Sequence, residues 1–312
     1  AAWLLPAVLL MAGANAAFGQ AFPAKPIRIV ATEAGGGTDF ASRIIARGLT
    51  SGLGRQVIVE NRAAIVAPET VAKSPPDGYT LLGTANSAWL LPFLRKNVAW
   101  DPVKDFSPIT LAVMSPNMVA VHPSLPVSSV RELIALAKAR PAQLNYGSAM
   151  GNPTHLSAEL FKAMAGVNIV HIPYRGNGPA LIDLIAGQIQ VMFPSFGAAM
   201  AHAKSGRIRV LAVTSARPSP LLPGVPTVAS TLAGYESGVA CGIFAPANTP
   251  APVIRRLNEE IARAVNTPEV KEQLVNAGLE IIANSPEAFA AFIQADMAKM
   301  GKVIRDAGIR EP

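Results

Sequence analysis

Residues 27–49 have the sequence Ile27-Arg-Ile-Val-Ala-Thr-Glu-Ala-Gly-Gly-Gly-Thr-Asp-Phe-Ala-Ser-Arg-Ile-Ile-Ala-Arg-Gly-Leu49, a short apolar segment that continues through three glycines. After the glycines, apolar residues recur at the spacing of one helix face, at Phe40, Ile44, Ile45 and Leu49. Glycines let the backbone approach a ligand closely, and the first N–H groups of a helix carry the positive end of its dipole. The pattern therefore predicts a strand, an anion-binding turn and a helix.

Similar strand-to-turn patterns follow farther along the chain. One leads from Leu144 to the helix start at Asn152 and Pro153, a second is followed by Arg175, and a third ends at Ser195. Strand and helix patterns alternate throughout, which favours an α/β fold with mostly parallel sheets. Because such sheets bind ligands at the carboxyl ends of their strands, these turns predict one wall of a cleft.

The length of 312 residues favours two domains, with 50% hydrophobic residues to build their cores. An apolar run at residues 3–12, followed by small residues, predicts an export signal cleaved between Ala16 and Ala21. The chain begins at Ala1 without methionine or a basic segment, so we expect its extreme N-terminus to be missing. No later apolar run is long enough for a membrane span, which predicts that the mature protein is soluble.

Charge and cysteine content exclude other classes of protein. The net charge is +7, but the basic residues are scattered and aromatic residues make up only 6%, which does not favour nucleic-acid binding. The single cysteine, Cys241, excludes a disulfide framework within one chain and is expected to be a buried, inert thiol.

No catalytic, nucleotide-binding or metal-binding motif is present. Neither Ser148 nor Ser195 lies in a G-x-S-x-G motif, and Phe40 occupies the third glycine position of a dinucleotide fingerprint. His155 and Glu159 stand four residues apart but are more typical of ordinary polar residues in a first helical turn than of a metal site. We interpret His171 as a hydrogen-bonded core histidine. The sequence therefore predicts neither a catalytic group nor a metal.

Ordered motifs along the whole mature chain resemble the Bug family, the substrate-binding receptors of tripartite tricarboxylate transporters. The matching segments are Lys25-Pro-Ile-Arg-Ile-Val30, Gly35-Gly-Gly-Thr-Asp39, Val59-Glu-Asn-Arg62, Pro76-Asp-Gly-Tyr-Thr-Leu-Leu82, Asp101-Pro-Val-Lys-Asp-Phe106, Val121-His-Pro-Ser-Leu-Pro126, Leu144-Asn-Tyr-Gly-Ser148, His155-Leu156, Ile172-Pro-Tyr-Arg-Gly176, Leu211-Ala-Val-Thr-Ser215 and Val225-Pro-Thr-Val228.

The resemblance implies a type II periplasmic-binding-protein fold, with two doubly wound α/β lobes, a hinge and an interlobe cleft. Lobe 1 is expected at residues 22–120 and 230–312, lobe 2 at residues 121–229, and a signal peptide at residues 1–21. The chain would cross between lobes within residues 115–122 and 224–237. A periplasmic monomer without cofactor is implied, which binds a small carboxylate and presents it to integral-membrane transporter subunits.

Carried over position by position, the resemblance places two ligand loops at residues 31–39 and 147–154. Further candidates come from turns after other strands. The expected ligand-binding residues are Thr32, Glu33, Ala34, Gly35, Gly36, Gly37, Thr38, Asp39, Ser87, Ser148, Ala149, Gly151, Asn152, Thr154, Tyr174, Arg175 and Ser195.

Three departures from the family pattern bear on the ligand. Glu33 stands where a neutral residue is usual, so it either faces an ammonium, amide or hydroxyl group of the ligand, pairs with an arginine, or points to solvent. The segment 63–68 lacks the usual glycines, so its ligand contacts cannot be assumed. Ser195 replaces an acidic or amide residue. Trp89 and Phe196 would either line the pocket, favouring an aromatic or apolar acid, or pack in the core.

Two functions of other classes stay open from the residues alone. One is an exported hydrolase of small esters or amides that uses an unconventional serine such as Ser148. The other is a sensing subunit that reports ligand occupancy to a membrane signalling partner.

Overall fold

The computed structural model describes residues 22–32 and 37–310. Its strands are β1 (Ile27–Thr32), β2 (Val57–Arg62), β3 (Thr80–Ala85), β4 (Phe106–Pro116), β5 (Met118–Val121), β6 (Asn145–Ala149), β7 (Val170–Tyr174), β8 (Val191–Met192), β9 (Arg209–Val213), β10 (Gly238–Pro246) and β11 (Glu280–Ile281). Its α-helices are α1 (Gly37–Leu53), α2 (Val66–Ala72), α3 (Ser87–Leu94), α4 (Val130–Ala139), α5 (Pro153–Ala165), α6 (Asn177–Ile185), α7 (Phe196–Lys204), α8 (Ala251–Val265), α9 (Pro268–Asn276) and α10 (Pro286–Asp306).

The strands form two sheets, each covered by helices. The first has the order β11-β4-β10-β3-β1-β2 and the second β7-β6-β8-β5-β9. In the first, β1 runs parallel to β2 and β3, and in the second, β6 runs parallel to β7 and β8. The remaining pairs, which involve β4, β5 and β10, are antiparallel. The expectation of mostly parallel sheets was therefore wrong. β5 follows β4 of the first sheet after one residue, and β10 follows β9 of the second sheet through a segment without an α-helix, so neither strand enters its sheet through an α-helical crossover.

Helix α1 buries most of the face that its apolar spacing predicts. In α1, Ile44, Ile45 and Leu49 are buried against the first sheet and α8, whereas Phe40 is partly exposed. The C-terminal helices return to the first sheet, as the sequence predicts, and α10 packs against α3, β4 and also α5. Among the described residues, no helix is both long and apolar enough to span a bilayer.

The chain passes between the sheets at two adjacent points, Asn117 and Ser237, and Thr214 bridges them. The Thr214 hydroxyl lies 2.9 Å from the Asn117 carbonyl and 2.7 Å from the Ser237 carbonyl. The N–H of Asn117 contacts the Thr214 hydroxyl at 2.7 Å, and that of Ser237 donates to the Thr214 carbonyl. Because β5 pairs only within the second sheet, we propose Asn117 as the first lobe boundary in place of residues 120 and 121.

Candidate functional site

The starts of α1 and α5 both lie beside one short segment, residues 237–241. In the first sheet, the Thr38 hydroxyl lies 3.4 Å from the sulfur of Cys241. At the second sheet, Pro153, the first residue of α5, lines a cavity with Ser237 and Gly238, and Ser157 in the next helical turn hydrogen-bonds Ser237 at 2.6 Å. Both helix starts follow the carboxyl ends of parallel strands, β1 and β6. Helix N-termini attract anions, so this placement brings two candidate anion-binding ends, one from each sheet, near the crossing.

At the first turn, the described residues stabilise the start of α1. Asp39 is buried and accepts hydrogen bonds from Arg43 and Asn61, at 3.1 and 2.8 Å. These contacts tie α1 to β2, and they occupy both oxygens of the carboxylate. Gly37 is exposed with open space where a side chain would lie, and Thr32 ends β1 half-buried. Glu33, Ala34, Gly35 and Gly36 lie outside the described residues.

Near the second turn, which we define as residues 148–152 between β6 and α5, three polar side chains form one hydrogen-bonded group. Asn152 caps α5 by accepting from the His155 N–H at 2.9 Å, as the sequence predicts, and Pro153 follows at the first helical position. Asn177, the first residue of α6, accepts from the Asn152 amide and the Thr154 hydroxyl, both at 2.9 Å. Asn177 was missed, although it lies in the Arg175-Gly-Asn-Gly segment that marks a polar turn after β7.

The second turn also contacts two histidines beneath it. Gly151, with φ of 73°, donates its N–H to Nδ1 of His155 at 3.0 Å. Ser148 is fully buried, and its hydroxyl lies 2.9 Å from Nε2 of His171. His171 is hydrogen-bonded, as the sequence predicts, and its partner is a predicted site residue, but its side chain is half-buried, so its placement in the core was wrong.

Burial sets the protonation of this group. Desolvation, with the neighbouring imidazole of His171 second, lowers the pKa of His155 to about 4. Desolvation also lowers the pKa of His171. Tyr146 stacks on His171 and donates to Glu159 at 2.5 Å, and burial raises the pKa of its hydroxyl. Both imidazoles are therefore neutral at neutral pH.

The start of α3 brings a buried residue to the site, beside the one that was predicted. Ser87 is exposed, whereas Asn86 is buried and donates its amide to the Gly238 carbonyl at 2.9 Å. The side-chain oxygen of Asn86 has no partner within the described residues. Asn86 and Pro153 line a cavity of about 130 Å³ between the two sheets, together with Glu236, Asp296 and Lys299. The sequence indicated Asn86 only indirectly, because Asn86 is next to Ser87, which was predicted as a ligand-binding residue.

The remaining predicted residues are placed less centrally. Ala149 ends β6, and Tyr174 ends β7 and donates its hydroxyl to Asp183 at 2.7 Å. Arg175 is exposed and forms no ion pair with any part of the chain that the structure describes. Ser195 is half-buried before α7 and makes no side-chain cap bond with the described residues.

Two aromatic residues are candidates for the pocket wall. Trp89 is 1% exposed, packs against Phe244 and Phe289, and donates its indole N–H to Asp296. Its place in the pocket wall is therefore excluded, because its ring belongs to the core. Phe196 is half-buried and packs mainly in the core of the second sheet.

The Ser148 and His171 pair has the spacing of a nucleophile and a base, but Ser148 is 0% exposed. A substrate carbonyl cannot reach its hydroxyl in this arrangement. Among the residues that the structure describes, no cluster of histidine, cysteine or carboxylate side chains could hold a metal ion. Two α/β lobes joined at two crossings, with the starts of α1 and α5 beside those crossings, have the architecture of a periplasmic-binding-protein fold.

Comparisons with known proteins agree. The model of the tripartite tricarboxylate transporter family receptor matches residues 41–309. Protein BugT of Bordetella pertussis is 34% identical over 93% of this chain and 91% of its own. A Rhodopseudomonas palustris protein solved with adipate is 35% identical, with a TM-score of 0.74 over 93% of this chain and 99% of that one. MatC of that organism, solved with bound malate, is 26% identical with a TM-score of 0.70, over 91% and 100% of the two chains.

The chain belongs to the tripartite tricarboxylate transporter receptor family. Its members are substrate-binding receptors and not enzymes, so the hydrolase alternative based on Ser148 is wrong. The type II periplasmic-binding-protein fold is confirmed, with the antiparallel strands noted above.

Proposed function

We propose that this protein binds a small carboxylate between its two lobes and delivers it to the membrane subunits of a tripartite transporter. The main support is the placement of the first residues of α1 and α5 beside the same segment, residues 237–241. Backbone N–H groups there would bind the carboxylate, with Asn152, Thr154 and Asn177 beside them. The relatives solved with adipate and with malate make dicarboxylates the first ligands to test.

The mechanism is recognition followed by lobe closure. Binding at both helix N-termini would favour the closed arrangement, because a ligand shifts the equilibrium toward the state that it binds better. The paired crossings at Asn117 and Ser237 are the hinge that we propose for this motion. Export to the periplasm through residues 1–21, and function as a monomer, are further parts of the proposal.

A thermal-shift screen of adipate, malate, tricarboxylates, amino acids and aromatic acids tests the proposal. A bound acid stabilises the folded state by mass action, so the melting temperature should rise as the concentration of the acid increases. We expect Gly36→Leu to abolish the shift, and Gly178→Leu, at an exposed position with open space, to retain it. No shift with any acid, or an equal shift in Gly36→Leu, would contradict the proposal.

The charge of Glu33 can be tested in the same screen. If Glu33 faces an ammonium group of the ligand, Glu33→Gln should weaken binding of an amino acid and retain or improve binding of a plain dicarboxylate. The opposite ranking would exclude that role. A deletion strain separates transport from sensing, because a receptor for transport is required for uptake even when signalling is intact.

A further inference from the structure

Three aromatic rings from different elements pack together beneath the second turn. The ring centroids form a triangle, in which His171 of β7 lies 4.8 Å from Tyr146 of β6 and 4.2 Å from His155 of α5, and Tyr146 lies 6.2 Å from His155. The planes of the two imidazoles differ by 18°. Tyr146 and His155 are almost completely buried, so the three rings form a closely packed cluster between the sheet and α5.

Both histidines hydrogen-bond the second turn from below. The Gly151 N–H donates to Nδ1 of His155 at 3.0 Å. Nε2 of His171 lies 2.9 Å from the Ser148 hydroxyl and 3.3 Å from the Ser148 carbonyl, and an N–H at Nε2 satisfies both contacts. The turn is therefore fixed at its first residue and again close to the helix start.

The hydrogen bond from Gly151 determines the tautomer of His155. A backbone N–H can only donate, so Nδ1 of His155 carries no proton and the ring is neutral with its proton at Nε2. The charged and titratable groups that face it are Glu159 and Lys162 of its own helix, Tyr146 of β6 and His171 of β7. Burial disfavours the imidazolium, which could not accept from Gly151.

We propose that His155 and His171 are positioning residues, which hold the second turn in the conformation that presents its other backbone N–H groups to a ligand carboxylate. Gly151 has a φ of 73°, a region that glycine enters without strain but also leaves freely. A turn of this kind loses conformational entropy on binding unless it is fixed beforehand. The inference rests on the proposed carboxylate-binding function, and it assigns the histidines to the turn and not to the ligand.

Matched substitutions separate the hydrogen bonds from the packing. Asparagine places an oxygen near Nδ1 of a histidine, and glutamine places an amide near Nε2. We expect His155→Asn and His171→Gln to retain adipate binding within about threefold, and His155→Leu, which has no acceptor, to weaken it by roughly tenfold or more. His122→Asn, at a histidine that contacts Ser124 away from the second turn, is the control and should bind adipate as the unsubstituted protein does.

A second measurement needs no ligand. With only four histidines in the chain, ¹⁵N-histidine and ¹⁵N-glycine labelling should show His155 unprotonated at Nδ1, with a ¹⁵N–¹⁵N coupling to the Gly151 amide. Hydrogen exchange at Gly151 should accelerate in His155→Leu and stay slow in His155→Asn, because only the latter retains an acceptor.

The two measurements distinguish the possible failures. If adipate does not bind but the coupling and the exchange pattern are present, the second turn is held as proposed and adipate as the ligand is wrong. If Nδ1 of His155 is protonated, or if a folded His155→Leu protein binds adipate normally, the positioning role is overturned. Rescue by asparagine and not by leucine would confirm that the acceptor, and not ring packing, is required.

Discussion

The two strand-to-helix turns have similar sequence patterns, but different contacts stabilise them. The start of α1 is tied to the neighbouring strand by charged groups, with Asp39 accepting from Arg43 and Asn61. The start of α5 is held by neutral groups, with Asn152 and Thr154 bonded to Asn177 above and two imidazoles below. A glycine-rich turn therefore predicts an anion-binding geometry without specifying what holds it in place.

The difference also predicts that the two turns respond differently to salt concentration and to pH. Ion pairs such as Arg43 with Asp39, whose arginine is half-exposed, weaken as salt increases. A buried neutral cluster is insensitive to salt but sensitive to acid, because protonation of an imidazole removes an acceptor.

Acid should destabilise the protein through His155. Its pKa is about 4 in the folded state against an ordinary value of 6.5, so the unfolded chain binds a proton that the folded state excludes between these values. The contribution is fully present above about pH 6.5, and about 3 kcal/mol is lost as pH falls to about 4. Urea unfolding of His155→Asn should lack this loss. An equal pH dependence in both proteins would exclude the assignment, since their carboxylates are identical.

Gly147 of β6 should tolerate no side chain, although it was predicted as part of a ligand loop. A Cβ there would lie 2.5 Å from Ile189 Cδ1 and 2.9 Å from Tyr174 Cε2, so Gly147 is a packing residue beneath α6. We expect Gly147→Ala to lower the free energy of unfolding by about 2 kcal/mol. Gly178→Ala, at an open position in the same lobe, should change it by less than about 0.5 kcal/mol. Equal melting temperatures for the two variants would contradict this packing.

These results show how far the sequence determines the site. The strand-turn-helix units and the cap at Asn152 could be predicted because each depends on residues close in sequence. The stack of His155 on His171 could not, because it forms between α5 and β7. The antiparallel direction of β10 likewise depends on the crossing at Ser237. Asn86 was missed in favour of Ser87 because periodicity does not fix the start of a helix to one residue.

Removal of the Asn152 cap tests whether the second turn matters for binding beyond its contribution to stability. Asn152→Ala removes the acceptor for the His155 N–H and should cost about 1 kcal/mol of unfolding free energy. Ser129→Ala removes a similar cap from α4 and should cost about the same. Only Asn152→Ala should also lower the affinity for a carboxylate ligand, as measured by calorimetry. If the two variants bound equally well, the second turn would not form part of the ligand site.

The smallest effect on stability is expected at Arg175, which follows β7 in the second lobe. Because it is exposed and unpaired among the described residues, Arg175→Gln should change the free energy of unfolding by less than about 0.5 kcal/mol. Its charge can still attract an anion toward the cleft, so the association rate of a dicarboxylate should fall, and the fall should shrink as salt increases.

Arg43→Gln is the matched variant in the first lobe. Since Arg43 is engaged by Asp39 and Asn61, its loss should cost up to about 1 kcal/mol of stability and affect association less. Stopped-flow measurements at two salt concentrations would decide between them, and the reverse order would show that the exposed arginine of the second lobe does not steer the ligand.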